Sequence, residues 1–294
     1  MTVLEAIQKS ADFLGKKNVE SPRLQTELLL AHLLKMPRMN LYLNFERALT
    51  TEETNQFREL IKHRGQREPL QHIVGSTSFC GFEIAVNKNA LVPRPETELL
   101  AELGWKFLGE NKMTALDFGT GSGCIAISLA AKCPNANIFA LDISMGALAL
   151  AKQNAEINKV AERIKFIQGD GFAGLEKWWG ERPREPKENF QFDLIISNPP
   201  YIPTSEIETL QPEVKDFDPR AALDGGADGL DFYRMFATQA KPFLKANGKI
   251  MLEFGDGQAA AIRQIFENEK WIVEEIKSDY SQRPRILAAK SKNF

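Results

Sequence analysis

A chain of 294 residues, 43% hydrophobic and 26% charged, lies in the range of folded globular proteins and is long enough for one large domain and a smaller one. Its 37 basic and 39 acidic side chains leave a net charge of -2, which excludes a broad electrostatic pull towards phosphate backbones while leaving a local basic patch open. No stretch approaches about eighteen uninterrupted apolar residues, so a membrane partner is not expected.

The opening segment MTVLEAIQKSADFLGKKN has neither a basic run followed by an apolar one nor a cleavage-like site, and a cytoplasmic location is expected. Over residues 1–70, apolar positions such as Leu4, Ile7, Phe13 and Leu14, then Leu28, Leu29, Leu33 and Leu34, recur at spacings of three and four, which predicts a helical bundle. Ser21-Pro22 reads as a helix start with Ser as N-cap, Met36-Pro37 as a stop, and Thr50-Thr51-Glu52-Glu53 as another start. This part carries 11 basic and 9 acidic side chains and the remainder 26 and 30, a split too even to name a ligand. Residues 71–95 change in texture: Gly75, Phe79, Gly81, Phe82, Ile84 and Val86 alternate with polar residues, predicting a β-hairpin linker before a catalytic domain at 96–294.

From Thr114 strands and helices alternate. Strands are expected at 115–118, 138–141, 164–168, 192–197 and 249–254, with helices from the glycine-rich turn to Ala131 and over 145–157. This is the pattern of an α/β doubly wound, mostly parallel sheet covered on both faces. The stretch ERPREPKE at 181–188 balances three acids against three bases and reads as a solvated loop. Cys80, Cys124 and Cys133 are odd in number, lack CxxC spacing and have no His at ligand distance, so reduced structural thiols and no metal are expected.

Within ALDFGTGSGCIAISLA, residues 115–130, a strand ends in a loop carrying Gly119, Gly121 and Gly123 and continues into an apolar helix. Glycines there permit positive φ and close backbone approach, and the helix start offers unpaired N–H groups to a polar ligand. A dinucleotide fingerprint would be GxGxxG, but here the third glycine comes one position early and Cys124 fills the later place. The GxGxG spacing resembles the S-adenosylmethionine loop of class I methyltransferases, which assigns Asp117, Gly119, Thr120, Gly121 and Gly123 to the cofactor. Asp142 ends the next strand, 23 residues after Gly119, where it can accept both ribose hydroxyls or cap the helix that follows, a role open equally to Ser144. In IQGDGF, Asp170 can accept from an adenine amine, and Gly171 and Phe172 stand beside the ring.

The apolar run ending at Ile196 is followed by SNPPYIPTSE. Ligands on parallel sheets bind beyond the carboxyl ends of strands, so this corner faces the transferable methyl group. Asn198 supplies an amide, Pro199 fixes the chain and leaves its carbonyl free, and Pro200 and Tyr201 complete a rigid wall with one flat face. Together they suit a planar NH2 acceptor.

Asn198-Pro199-Pro200-Tyr201 resembles the signature of amino-methyltransferases, which act on adenine or cytosine amines or on glutamine side chains. FCGFEIAVNKNALVPRPETELL, residues 79–100, is more specific: it resembles the hairpin and Pro-Arg-Pro-Glu-Thr-Glu segment of release factor glutamine methyltransferases, the HemK/PrmC family, and the likeness runs over essentially the whole chain. It implies a class I methyltransferase fold with a seven-stranded sheet and a helical substrate-recognition domain. It also implies S-adenosyl-L-methionine as methyl donor, S-adenosyl-L-homocysteine as product, and the N5 amide of the Gly-Gly-Gln glutamine in class-one release factors as acceptor. The resemblance assigns Asn198, Pro199 and Tyr201 to catalysis, Asn198 to Tyr201 to substrate binding, and Asn198 also to the cofactor. A monomer needing no nucleic acid is expected. The family often carries a bulky aromatic where this chain has Gly171, with Phe172 as the replacement at hand. Two other readings remain at this stage, an adenine amino-methyltransferase acting on DNA or RNA and a non-catalytic cofactor-binding adapter. Near-neutral charge weighs against the first. Intact Gly119, Asp142 and Asn198 weigh against the second. His32, His63 and His72 fall outside the catalytic part, and Glu96 and Glu98 either border the pocket or serve the helix start.

Overall fold

The computed structural model describes residues 1–181 and 191–291; beyond Glu181, the charged stretch expected as a loop lies outside the described residues. The chain divides into two compact units, one of Met1–Ser76 with Gln211–Phe217 and one of Thr77–Leu210 with Asp218–Phe294.

The first unit is helical, with α1 at Val3–Lys16, α2 at Pro22–Leu33, α3 at Arg38–Tyr42, α4 at Thr51–Gly65 and α5 at Leu70–Val74. Thr2 and Thr50 each cap their helix and are met by Glu5 and Glu53 in reciprocal capping boxes, which satisfy N–H groups that the helix itself leaves unpaired. Ser21 departs from expectation: it precedes α2 with a left-handed φ of 47° and makes no side-chain cap, leaving Pro22 to set the start. Val3, Ile7, Leu14, Leu29, Leu30, Leu41, Phe57 and Ile61 form the core. Buried among them, Glu27 accepts from Arg23, Arg38 and Tyr42; burial alone would raise its pKa, but these three donors hold it below the usual value. The distant segment Gln211–Phe217 joins this unit through Glu213, which accepts from Arg64 at 2.6 Å and from Arg67 at 2.6 and 2.7 Å. Burial works against the Glu213 charge, and the two guanidinium groups outweigh it.

The second unit opens with a hairpin, β1 at Ser76–Phe79 and β2 at Phe82–Ala85, followed by α6 at Pro95–Leu108. Then come β3 (Thr114–Phe118), α7 (Cys124–Lys132), β4 (Asn137–Asp142), α8 (Met145–Ile157), β5 (Ile164–Gln168), α9 (Gly171–Gly180) and β6 (Phe192–Ser197). The short α10 (Pro212–Lys215) belongs to the helical unit, after which α11 (Asp231–Gln239), β7 (Leu244–Glu253), α12 (Ala259–Asn268), β8 (Trp271–Ser278) and β9 (Pro284–Ser291) complete the chain. Seven strands form one sheet in the order β5-β4-β3-β6-β7-β9-β8. The first five run parallel and β9 runs antiparallel to both its neighbours. This is the doubly wound, mostly parallel sheet expected from the alternation of strands and helices, with the seven strands that the resemblance implied.

Side chains alternate between the sheet's faces, so successive residues enter different cores. Leu194 and Ile196 pack with Leu100, Ile127 and Ala155 under α6 to α8, while Ile195 packs with Phe236, Ile262 and Phe266 under α11 and α12. Burying both faces explains why these strands are continuous apolar runs. Each fully buried Ile or Leu contributes about 1.5–3 kcal/mol, and the result is a stiff platform for the loops at its edge.

Candidate active site

Strands β4 and β5 extend from β3 in one direction and β6 starts the other, so the sheet's switch point lies between β3 and β6. Ligands on such sheets bind in the crevice beyond the strand ends at this point. The glycine loop leaves β3 there and the Asn-Pro-Pro-Tyr corner leaves β6. Asp117 pairs with Ile196 in register, and the fully buried Ser197 hydroxyl donates to the Phe118 carbonyl at 2.6 Å. The glycine loop and the Asn-Pro-Pro-Tyr corner are thus clamped side by side at their origins.

The loop is held from three directions. Gly119 and Thr120 donate their backbone N–H groups to Leu141 at the end of β4, at 2.8 and 2.9 Å. Below it, Asp117 Oδ2 accepts from the Thr120 hydroxyl at 2.6 Å and from the Ala126 N–H at 3.1 Å. Burial pushes this carboxyl up to about 7, with the charge of Asp142 adding to the rise, and its Oδ1 has no hydrogen-bond partner. Asp117 therefore props the loop from within. From the side, Asn154 of α8 donates to the Ser122 carbonyl and to Ala85 O, and accepts from Ala85 N, so one amide joins the loop to the hairpin.

The glycines divide the work. Gly123, at φ 81°, passes so close to α8 that an added Cβ would stand 3.0 Å from the Cβ of Ala151. At Gly119, φ is 73° and an added Cβ would meet nothing within 4 Å. The loop is tight against the protein at one glycine and open at the other, which is the shape a cradle for a nucleoside-bearing cofactor needs.

Asp142 is half-buried and uses both oxygens: Oδ2 accepts from Gly121 N at 2.9 Å and Oδ1 from Ser144 N at 2.8 Å. The Ser144 hydroxyl caps α8 by accepting from Ala147 N, so the helix start does not depend on Asp142 as its N-cap. A carboxylate accepts about four hydrogen bonds, which leaves two for ribose hydroxyls. Asp170 is exposed at the start of α9 and makes no side-chain cap there, and Gly171 follows at φ 56°. Phe172 is placed differently from expectation. Its ring stacks on Phe243 with centroids 4.9 Å apart and meets Phe118 and Phe236, leaving 3% of the residue exposed. Phe172 belongs to the apolar core and offers no broad face to an adenine ring.

At the corner, Pro199 is buried while Asn198, Pro200 and Tyr201 are half-buried. Asn198 Nδ2 donates to the Thr97 hydroxyl at 3.0 Å. Among the described residues neither Asn198 Oδ1 nor the Pro199 carbonyl takes a donor, so two acceptors are left at the corner. The Tyr201 carbonyl is held by Gln258 Nε2 at 2.8 Å. Burial and the nearby Glu253 push the Tyr201 phenol up to about 12, so it stays protonated and presents a neutral ring.

Glu98 serves the fold, since it accepts from Cys80 N in the hairpin turn at 2.8 Å; Glu96 is exposed. Sequence reasoning missed Thr97, Ser197, Asn154 and Glu253. The Thr97 position lay inside a recognised motif, but only the fold brings it to Asn198, 101 residues away. Among the described residues no group of three His, Cys, Asp or Glu side chains could hold a metal ion, and no helix is long and apolar enough to cross a membrane.

Residues 5–75 match the family model described as PrmC N-terminal domain, and residues 97–211 match the Methyltransferase small domain. The chain is 42% identical to a release factor glutamine methyltransferase from Geobacter sulfurreducens, over 90% of this chain and 88% of that one. It is 37% identical to another from Chlorobaculum tepidum, over 98% and 96%. Among solved structures, the hMettl16 catalytic domain in complex with MAT2A 3'UTR hairpin 6 resembles it with a TM-score of 0.53 at 16% identity over 83% of each chain, a likeness of fold alone.

Proposed function

The chain belongs to the release factor glutamine methyltransferase family, and we propose that its corner at Asn198 positions a glutamine side-chain amide for methylation on N5. It is a methyltransferase. The acceptor we assign is the glutamine of the Gly-Gly-Gln loop of class-one release factors, and the donor is S-adenosyl-L-methionine. The observation that carries this reading is the clamp between β3 and β6, which sets an open glycine cradle beside a corner with two unused acceptors.

When bound, S-adenosylmethionine supplies a methyl group activated by a sulfonium charge. Gly119, Gly121 and the start of α7 would hold it, with Asp142 on the ribose and Asp170 and Gly171 at the adenine. The harder task falls to the amide nitrogen, whose lone pair is delocalised into its carbonyl. Asn198 Oδ1 and the Pro199 carbonyl each accept one N–H of the acceptor, hold it in line with the methyl group and favour its pyramidal form as positive charge grows. Pro200 keeps the turn rigid and the neutral Tyr201 ring flanks the planar amide. No general base is needed, because an N-methylated, N-protonated amide is strongly acidic and loses its proton to water.

The helical unit is assigned to recognition of the folded substrate, and it exposes Met39 and Leu43 one turn apart. We further infer that the enzyme acts in the cytoplasm as a monomer and needs no nucleic acid. Mass spectrometry of a release factor incubated with the enzyme and S-adenosylmethionine tests the reading. One added methyl group on the Gly-Gly-Gln glutamine is expected. Methylation of DNA or RNA instead would favour the adenine reading, and absence of transfer to any of the three would leave only cofactor binding.

A further inference from the structure

Glu253 ends β7, one residue past the pair that Leu252 makes with Ser197, and so lies beside Asn198. It is 3% exposed, and its Oε2 is buried without a hydrogen-bond partner. The strand end is fixed by the Tyr233 hydroxyl, which donates to the Glu253 backbone carbonyl at 2.8 Å. A carboxyl group in such a place is costly, and nothing in the sheet requires it. Among the polar side chains facing it are Thr97 and Asn198.

Those two groups explain what it does. The oxygen and nitrogen ends of an Asn side chain are nearly the same size, and only hydrogen bonding decides which end faces which way. Here Nδ2 points inward to Thr97, which is itself 3% exposed. A carboxylate beside them accepts but cannot donate. Ionised, it would draw the Thr97 hydroxyl hydrogen towards itself, leave a Thr97 lone pair for Nδ2, and attract the Asn198 NH2.

We propose that Glu253 is a positioning residue: with Thr97 it holds the Asn198 nitrogen inward and so turns Oδ1 towards the acceptor amide. The inference rests on the acceptor role proposed for Asn198. A side chain at position 253 that turns a hydrogen towards Thr97, as Gln or a protonated carboxyl can, reverses the pattern. It gives its hydrogen to Thr97, which then donates to Asn198, and the amide turns its NH2 to a substrate that also has only hydrogens to offer. Protonation of Glu253 does the same. Burial raises this carboxyl to about 7, helped by Glu96 on α6 and opposed by Thr97, Arg285 on β9 and Asn198. Tyr201 of the corner and Tyr233 on α11 also face it, and both stay neutral because burial raises them.

The test is single-turnover methylation of a release factor from pH 5.5 to 8.5, with cofactor affinity measured in parallel. The wild-type rate should rise through about pH 7; Glu253→Gln should abolish that rise, lower the rate at pH 8 by at least about tenfold, and leave cofactor affinity within about twofold. Thr97→Val should behave alike, and Thr97→Ser, which keeps the hydroxyl, should recover to within about threefold of wild type. A wild-type rate and an unchanged pH profile in Glu253→Gln would overturn the proposal, as would equal rates in Thr97→Val and Thr97→Ser. If Asn198→Ala is impaired while Glu253→Gln is not, only the positioning role fails; if Asn198→Ala is also unimpaired, the acceptor reading fails with it.

Discussion

Replacing Asp142 by Ala separates cofactor binding from loop support. The carboxylate holds Gly121 N at 2.9 Å and Ser144 N at 2.8 Å, and would accept two ribose hydroxyls besides. Hydrogen bonds to charged groups contribute about 1.5–3 kcal/mol each in buried settings. The residue is half-buried and water can replace the carboxylate at either N–H, so the cofactor-free protein should lose only about 1–2 kcal/mol. The start of α8 survives because Ser144 caps it independently. Binding should suffer more. Loss of the ribose bonds, together with a loop no longer pinned at Gly121, weakens the cofactor by roughly 2–3 kcal/mol, or about 30- to 150-fold in Kd. Calorimetric titration with S-adenosylmethionine and with S-adenosylhomocysteine measures the affinity, and urea unfolding without cofactor measures the stability. A folded Asp142→Ala protein that binds both with wild-type affinity would refute the ribose assignment and leave Asp142 as a support for the loop.

The glycine pair gives a second contrast. Both Gly119→Ala and Gly123→Ala should cost about 1–2 kcal/mol of stability from their positive φ, Gly123→Ala more because of Ala151, while cofactor affinity should fall furthest in Gly119→Ala; equal affinities would refute the open-cradle reading. Asp117 carries a raised pKa, about 7 against an ordinary 3.8, so the folded state keeps a proton that the unfolded chain releases. That contribution to stability is present below about pH 4 and is lost as pH rises through about 7. Asp117→Asn can keep both bonds on a single oxygen, so its stability relative to wild type should climb by up to about 4 kcal/mol between pH 4 and pH 8 in urea unfolding, and a difference independent of pH would contradict this. Deleting residues 1–76 removes Arg64 and Arg67 and leaves Glu213 without its partners, so cofactor affinity should stay within about threefold while methylation of a release factor falls at least about a hundredfold; full activity of a folded truncated protein would refute the recognition role.

What the sequence disclosed follows from the range of the interactions. The apolar runs of β5 and β6 and the glycine and proline stops beside them are local signals, and both strands occupy the expected residues. Strand β7 begins earlier than expected, at Leu244, where the pairing with β6 shifts register between Phe192 and Leu194. The left-handed turn at Ser21 defeated a reading based on cap preference, because the fixed φ of Pro22 already starts the helix. Polar contacts between distant segments left no periodic trace. Glu213 meets Arg64 across 149 residues, so nothing local shows that Gln211–Phe217 belongs with the helices. Thr97 comes from α6, Asn198 from the loop after β6 and Glu253 from the end of β7, and Glu253 reads in sequence as the polar end of a strand.

Methyl transfer by this route requires Asn198 to hold the acceptor amide. Single-turnover methyl transfer by Asn198→Ala, with saturating cofactor and release factor, tests it most directly. The variant should fold and bind cofactor nearly as wild type does, yet transfer the methyl group at least about a hundredfold more slowly, equivalent to roughly 2.7 kcal/mol of barrier. Transfer at the wild-type rate would reduce Asn198-Pro199-Pro200-Tyr201 to a rigid strand exit and contradict the acceptor site.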